Sequence, residues 1–213
     1  MKSLAILFSG QGSHMLRLAQ ACLQGALPAR LEVVLCNRED APGAARARDL
    51  GLPLEVLPHK DFASREAFDA ALAERLEAHC PDVIVLAGFM RILTDAFVSR
   101  FEGRLVNIHP SLLPAFPGLD THARALQAGV RVHGATVHLV TPTLDHGPIL
   151  AQAVVPVRTD DEPARLAERV LKAEHQLYPR AVSWLLEGRV RVEAGRAFVD
   201  GVPDEQRLLM GVA

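Results

Sequence analysis

Three short runs rich in Val, Ile and Leu, Ala5–Phe8, Leu31–Cys36 and Asp82–Ala87, are each followed by turn chemistry. Runs of this length and composition suit parallel strands covered on both faces, where helices exclude water from either side of the sheet. Between them lie stretches of helical character: Ser13–Gln24 closed by Gly25, Pro42–Leu50 closed by Gly51, and Arg65–His79. In the last of these Phe68, Leu72 and Leu76 recur at i, i+4 and i+8, with Ser64 where an N-cap belongs. The alternation predicts an α/β fold built on a doubly wound, mostly parallel sheet.

From about residue 103 the pattern changes. Strands are expected at Arg104–Ile108, Ala135–Val140 and Ile149–Val157, separated by loops loaded with Pro, Gly and His, with a helical stretch at Asp120–Gln127. A long helix is expected over Pro163–Leu186, apolar at Leu166, Val170, Ala173, Leu177, Ala181 and Trp184 and ending at Gly188. Pro179 should kink or interrupt it, since proline brings no N–H to the ladder. Arg189–Glu193 and Ala197–Asp200 read as a small hairpin. The division expected is 1–102, a Rossmann-like half, and 103–213, a half built for chemistry.

The 213 residues, 49% hydrophobic, can bury a sizeable core as one domain or two intimately packed halves, which excludes a disordered chain. Lys and Arg number 23 against 25 Asp and Glu, and no long basic run occurs, so nucleic acid is not an expected partner. The longest apolar stretches, Val83–Met90 and Gly147–Val157, are far shorter than a membrane span, and the run after Lys2 is too short for a signal peptide. Cys22, Cys36 and Cys80 form no CxxC pair, so neither a disulfide framework nor a zinc site is indicated, and a cytoplasmic setting fits.

Two constellations could carry chemistry. Ser9-Gly10-Gln11-Gly12-Ser13 joins the first strand to the first helix, where backbone N–H groups and the helix dipole favour an anion. A dinucleotide fingerprint would need a small residue where Met15 stands and an acid where Asn37 stands, so a single phosphate monoester suits the loop better; an ordinary tight turn is the alternative. The second set is Asn107, His109 and Asp145. His109 sits just past a strand's C-terminal end, where open α/β sheets place their ligands, and Asp145 lies in a turn before another strand. A neighbouring carboxylate would hold the imidazole's charged form, and the Asn107 amide could donate to a developing oxyanion. The set fits acyl-type transfer to an amine supplied by the substrate.

The plain alternative is that His109 is one of nine histidines serving structure. Pro110, Pro114 and Pro117 argue against it by stiffening an otherwise costly loop. His122 could contact substrate or cap a helix. His133, His138 and His146 make no HxxxH or HxH set with a carboxylate, so no metal is expected, and Ser111 lacks the GxSxG elbow of a nucleophile.

Asp82-Val-Ile-Val-Leu-Ala-Gly-Phe-Met-Arg-Ile-Leu93, Asn107-Ile-His-Pro-Ser-Leu-Leu-Pro114, Pro117-Gly-Leu-Asp-Thr-His122, Gly134-Ala-Thr-Val-His138 and Leu144-Asp-His-Gly-Pro148 together resemble the phosphoribosylglycinamide formyltransferases of purine biosynthesis. The motifs stand in the family's order and cover nearly the whole chain. The resemblance implies a formyltransferase fold, a Rossmann-like doubly wound sheet of about seven strands. It implies transfer of a formyl group from 10-formyltetrahydrofolate, a co-substrate, to the amine of glycinamide ribonucleotide in IMP synthesis, without a metal. Residues 1–102 would bind the phosphoribosyl substrate, and 103–213 would carry the catalytic Asn107, His109 and Asp145 and share the folate cleft. Gly12, Ser13 and His14 match the phosphate loop, and Glu174 matches a glutamate contacting the glycinamide substrate. Arg65, Met90, Arg91, Ile92 and Leu93, with Asn107, match the folate positions. Without the resemblance, Met90–Leu93 would read as a buried strand end running into a helix.

Departures from the family pattern are Gln11 and His14 at positions commonly asparagine, Ala115 at one often basic, and His146 at a frequent glycine. His14 could donate to a phosphate or merely start the helix. His146 could alter its loop or add a titrating group. The partners implied are small molecules, with the chain a monomer or homodimer. A 10-formyltetrahydrofolate hydrolase, or transfer to another amine, is the alternative. Methionyl-tRNA formyltransferase and formyltetrahydrofolate deformylase share the trio but carry an extra domain for which 213 residues leave no space. A non-catalytic nucleotide-binding module would need the first loop but not the trio.

Overall fold

Six of the seven residues of the first strand, β1 (Lys2–Phe8), are buried, as a strand covered on both faces demands. Its side chains alternate. Leu4, Ile6 and Phe8 join one core, and Ala5 and Leu7 join a second on the opposite face. A computed structural model describes residues 1–211 of the chain. After β1 come α1 (Ser13–Leu23), β2 (Ala29–Cys36), α2 (Pro42–Asp49), β3 (Leu54–Val56) and α3 (Arg65–His79). Then follow β4 (Val83–Leu86), α4 (Asp95–Arg100), β5 (Leu105–His109), α5 (Thr121–Gln127), β6 (Val132–Leu139) and β7 (Ile149–Pro156). The chain continues through α6 (Pro163–Leu186), β8 (Val190–Glu193), β9 (Arg196–Val199) and β10 (Leu208–Met210).

The main sheet has eight strands in the order β10-β7-β6-β5-β4-β1-β2-β3, and β8 and β9 form a separate hairpin. From β3 to β5 neighbouring strands are parallel; β6 runs antiparallel to both β5 and β7, and β10 closes the edge parallel to β7. Eight strands stand against the seven or so expected, and the two that no apolar run had marked, β3 and β10, have three residues each. The sheet runs unbroken across residue 102, because β4 pairs with β5. Chain direction across the sheet reverses at β1 and β4, since β1 leads outward to β2 and β4 leads the other way to β5. A crevice opens at such a switch point. The two loops leaving it are tied together, Met90 N donating to Ser9 Oγ at 2.8 Å and Ser9 N to the Gly88 carbonyl at 3.1 Å.

Helix α6 closes one face. Its buried Tyr178 donates to the carbonyls of Leu86 (2.8 Å) and Val106 (3.1 Å), pinning the helix over β4 and β5. Of the two outcomes expected at Pro179, a kink or an interruption, the interruption does not occur: α6 is helical throughout Pro163–Leu186. Proline at 179 leaves the His175 carbonyl without its helical donor. Arg17 of α1 supplies one, its Nε donating to that oxygen at 3.2 Å. Among the described residues no helix is long and apolar enough to cross a membrane.

Candidate active site

His109 is the last residue of β5, and Asn107 lies two positions before it, so both side chains leave the same face of the strand. The antiparallel register sets Asn107 opposite His138 of β6, and the Asn107 Nδ2 approaches His138 Nε2 at 3.3 Å. His138 Nδ1 donates to the Leu139 carbonyl at 3.0 Å, which leaves Nε2 as the acceptor for the Asn107 amide. Burial pushes the His138 imidazole down, consistent with that neutral form. One N–H of the Asn107 amide is thereby used, and the second remains for another acceptor.

Asp145 reaches the pair from the β6–β7 loop. Its φ of 53° lies in the left-handed region, and two residues on Gly147 passes so close to β6 that a Cβ would fall 1.6 Å from the Leu139 carbonyl oxygen. This tight passage holds Asp145 with Oδ2 3.5 Å from His109 Nδ1, longer than a hydrogen bond, and Oδ1 3.9 Å from His138 Nε2. Asp145 Oδ2 also accepts from Gly118 N at 2.8 Å. The other ring nitrogen of His109, Nε2, meets the Phe116 carbonyl at 3.0 Å. The proton on Nε2 is fixed by that carbonyl, and Nδ1 faces the carboxylate. Both His109 and Asp145 are buried.

At the far end of the crevice, Gly12 precedes α1 with φ 72° and no side chain caps the helix. A Cβ at Gly12 would lie 2.9 Å from Met15 Cε and 3.2 Å from Gly43 Cα, so loop, helix and α2 meet at close quarters. The uncapped N–H groups of the first turn suit an anion. Ser13 and His14 are the first two residues of α1. His14 Nε2 meets Glu174 Oε2 of α6 at 3.1 Å, while Nδ1 is buried without a partner, and the ring stands edge-on to His175 and Tyr178. His14 therefore does more than start the helix, and the ring nitrogen engaged by Glu174 is not available to a phosphate.

The third group, Met90–Leu93, lies in the loop after β4. A buried strand end would hide its apolar side chains, yet Met90 is 73% and Ile92 58% exposed; Leu93 is buried. The Arg91 guanidinium lies over the Phe68 ring, 5.2 Å from its centroid, with Nε buried and unpartnered. Arg65 begins α3 one turn before Phe68, its side chain half-exposed and 3.8 Å from Glu66. An apolar wall beside an unsatisfied guanidinium fits a flat conjugated molecule carrying a carboxylate.

His122 does not cap α5, which starts after Asp120; its Nδ1 is buried without a partner and its ring stands edge-on to His133 at 5.3 Å. Burial lowers the His122 imidazole, with the charge of Glu174 acting against it. His146 is exposed, and its Nδ1 meets the Leu144 carbonyl of its own loop at 3.2 Å. Ser111 donates to the Ala115 carbonyl at 2.6 Å, a loop-building role. Sequence reasoning missed His138, Phe116 and Gly118 as members of the site. For His138 a signal existed, because a histidine on a strand neighbouring Asn107 can reach it once the register is known; the other two act through backbone groups that every residue has.

Residues 2–182 match the family model described as formyl transferase. The phosphoribosylglycinamide formyltransferase of Escherichia coli is 44% identical over 199 residues, 93% of this chain and 94% of that protein. Among solved structures, glycinamide ribonucleotide transformylase 1 from Symbiobacterium toebii superposes with a TM-score of 0.90 at 44% identity, covering 93% of this chain and 94% of its own. A formyltetrahydrofolate deformylase from Pseudomonas syringae shares the fold at a TM-score of 0.87 but only 27% identity, over 93% of this chain and 65% of that one. The chain belongs to the phosphoribosylglycinamide formyltransferase family, a branch of the formyl transferases.

Proposed function

We propose that the chain transfers the formyl group of 10-formyltetrahydrofolate to the primary amine of glycinamide ribonucleotide, giving formylglycinamide ribonucleotide and tetrahydrofolate in IMP synthesis. The observation that carries this reading is the His109 ring held between the Phe116 carbonyl and Asp145 at the mouth of the switch-point crevice. The phosphate of the ribonucleotide docks on Gly12 and Ser13, with His14 and Glu174 as a coupled pair behind them. The folate lies against Met90, Ile92 and Leu93, with its carboxylates toward Arg91 and Arg65 and its formyl group toward Asn107.

The reaction needs three things of the protein. The amine must lose a proton, N10 must gain one, and negative charge on the formyl oxygen must be met as the amine adds. The unused N–H of Asn107 and, with His109 as the imidazolium, its Nδ1–H are the donors for that oxygen. His109 then delivers the Nδ1 proton to the leaving N10, directly or through a water it orders with Asp145. Asp145 stabilises the imidazolium, and the amine proton passes to the Nδ1 so freed, directly or through that water, which restores the imidazolium. The substrate amine is the nucleophile, so no covalent bond to the protein forms.

Incubation with a 10-formyl-folate analogue, with and without glycinamide ribonucleotide, tests the reading. Transfer predicts deformylation only when the ribonucleotide is present, with formylated ribonucleotide as product. Deformylation at the same rate without it would support the hydrolase instead, and no deformylation at all would leave only a binding module.

A further inference from the structure

Before α5, the chain crosses the catalytic pair as a strap, Phe116–Leu119, and each of its four residues commits one backbone group. Phe116 offers its carbonyl to His109 Nε2 at 3.0 Å, and Gly118 donates its N–H to Asp145 Oδ2 at 2.8 Å. The carbonyls of Pro117 and Leu119 turn the other way, and both accept from Nη1 of Arg124, the latter at 3.3 Å. The same guanidinium lies over the Phe116 ring, 5.7 Å from its centroid. Inward and outward groups therefore alternate, with the catalytic pair on one side of the strap and Arg124 on the other.

The strap is not held by its own conformational preferences. Phe116 and Asp120, at and just beyond its ends, have φ of 53° and 56°, left-handed values that side-chain-bearing residues seldom adopt. Something outside the strap must fix it. Arg124 can do so because α5, which carries it, is anchored through Ala125, a fully buried residue of the main core.

We propose that Arg124 is a positioning residue for formyl transfer: by bridging the Pro117 and Leu119 carbonyls it sets the Phe116 carbonyl on His109 and the Gly118 N–H on Asp145. It touches neither catalytic side chain. Its effect is to choose which ring nitrogen of His109 faces the reaction, since the Phe116 carbonyl holds the proton on Nε2 and leaves Nδ1 toward Asp145. The inference rests on the formyl-transfer reading above for its kinetic part only.

Arg124→Ala should lower kcat about 10- to 100-fold while each KM stays within about twofold, the pattern of a misplaced catalytic group rather than a lost substrate contact. Arg124→Lys, which keeps a cation and several donors, should recover part of the loss, and guanidinium added at non-denaturing concentration should restore part of the Arg124→Ala rate. The His109 Nε2 proton, shielded by the Phe116 carbonyl, should give an NMR signal in the unaltered protein that broadens in Arg124→Ala. If Arg124→Ala does not fold, Arg124→Gln, which keeps one NH2 donor, takes its place in both measurements. An unchanged kcat, a loss confined to KM, or an unchanged His109 signal would each overturn the proposal. Should the unaltered protein transfer no formyl group, the functional reading falls, and the His109 signal still decides whether Arg124 holds the strap.

Discussion

His109 has an acceptor at each ring nitrogen, and the two differ in kind. The Phe116 carbonyl is a hydrogen-bonded orienting partner at 3.0 Å, whereas Asp145 stands 3.5 Å off, a charged neighbour beyond hydrogen-bond length. On the proposed mechanism, replacing His109 by Ala removes both the oxyanion donor and the proton carrier, and kcat should fall about 10²–10⁴-fold in a protein that still melts cooperatively. Near-full turnover by that variant would end its assignment. His133 serves differently. Burial drives its imidazole down to about 4, so it is neutral in the folded chain near neutrality. The unfolded state takes up this proton near the ordinary value of about 6.5. The stabilisation from keeping His133 neutral is therefore whole above that pH and is lost as the pH falls towards 4, by up to about 3 kcal/mol. Urea midpoints measured between neutrality and pH 4.5 should drop more steeply for the unaltered protein than for His133→Gln; parallel curves would refute the effect. Asn107, His109 and Asp145 were singled out from residue type and strand-end position, and the structure places His109 and Asp145 3.5 Å apart. His138 was not, because the Asn107–His138 pairing is a register between strands about 30 residues apart along the chain.

Elements with a long apolar period were legible, and those whose cause lies elsewhere in the chain were not. Helix α3 begins and ends where its periodicity and Ser64 imply, the Ser64 Oγ accepting from Ala67 N at 3.1 Å. Strand β3, with three residues, exists because β2 offers it an edge, and β10 because β7 does. Helix α4 is too short for a period and is set by caps: Thr94 Oγ1 accepts from Phe97 N, and Asp69 Oδ2 from Thr94 N. The uninterrupted α6 is the same lesson in reverse, since Pro179 is a local break that a distant arginine offsets. Removing the Arg17 donor should destabilise the fold by about 1 kcal/mol, because the His175 carbonyl loses that hydrogen bond. In a Pro179→Ala background, where a backbone N–H returns to that carbonyl, Arg17→Ala should cost less. A double-mutant cycle in urea measures the coupling. A coupling of zero would show that the arginine and the proline act independently.

Across the whole molecule, one sheet carries both ends of the crevice, and residue 102 marks no boundary in it. The proposed folate positions Arg65 and Met90–Leu93 precede that residue, while Glu174, proposed for the ribonucleotide, comes from α6, which packs against α1 on the same face of the sheet and so meets His14. Each substrate should thus stabilise the chain through its own end of the site. At about a hundredfold excess over Kd, ligand linkage contributes about 2.7 kcal/mol, which for a chain of this size raises Tm by about 5 to 10 °C. Glu174→Gln keeps the shape of the side chain but removes its charge beside His14, so it should abolish most of the shift caused by glycinamide ribonucleotide and leave that of a folate analogue. Arg91→Met keeps an extended apolar stem beside Phe68 without the guanidinium and should do the opposite. Differential scanning calorimetry on both variants with each ligand separates the outcomes: if either substitution removed both shifts, the two ends would be a single binding unit, and the assignment of separate residues to the two substrates would have to be abandoned.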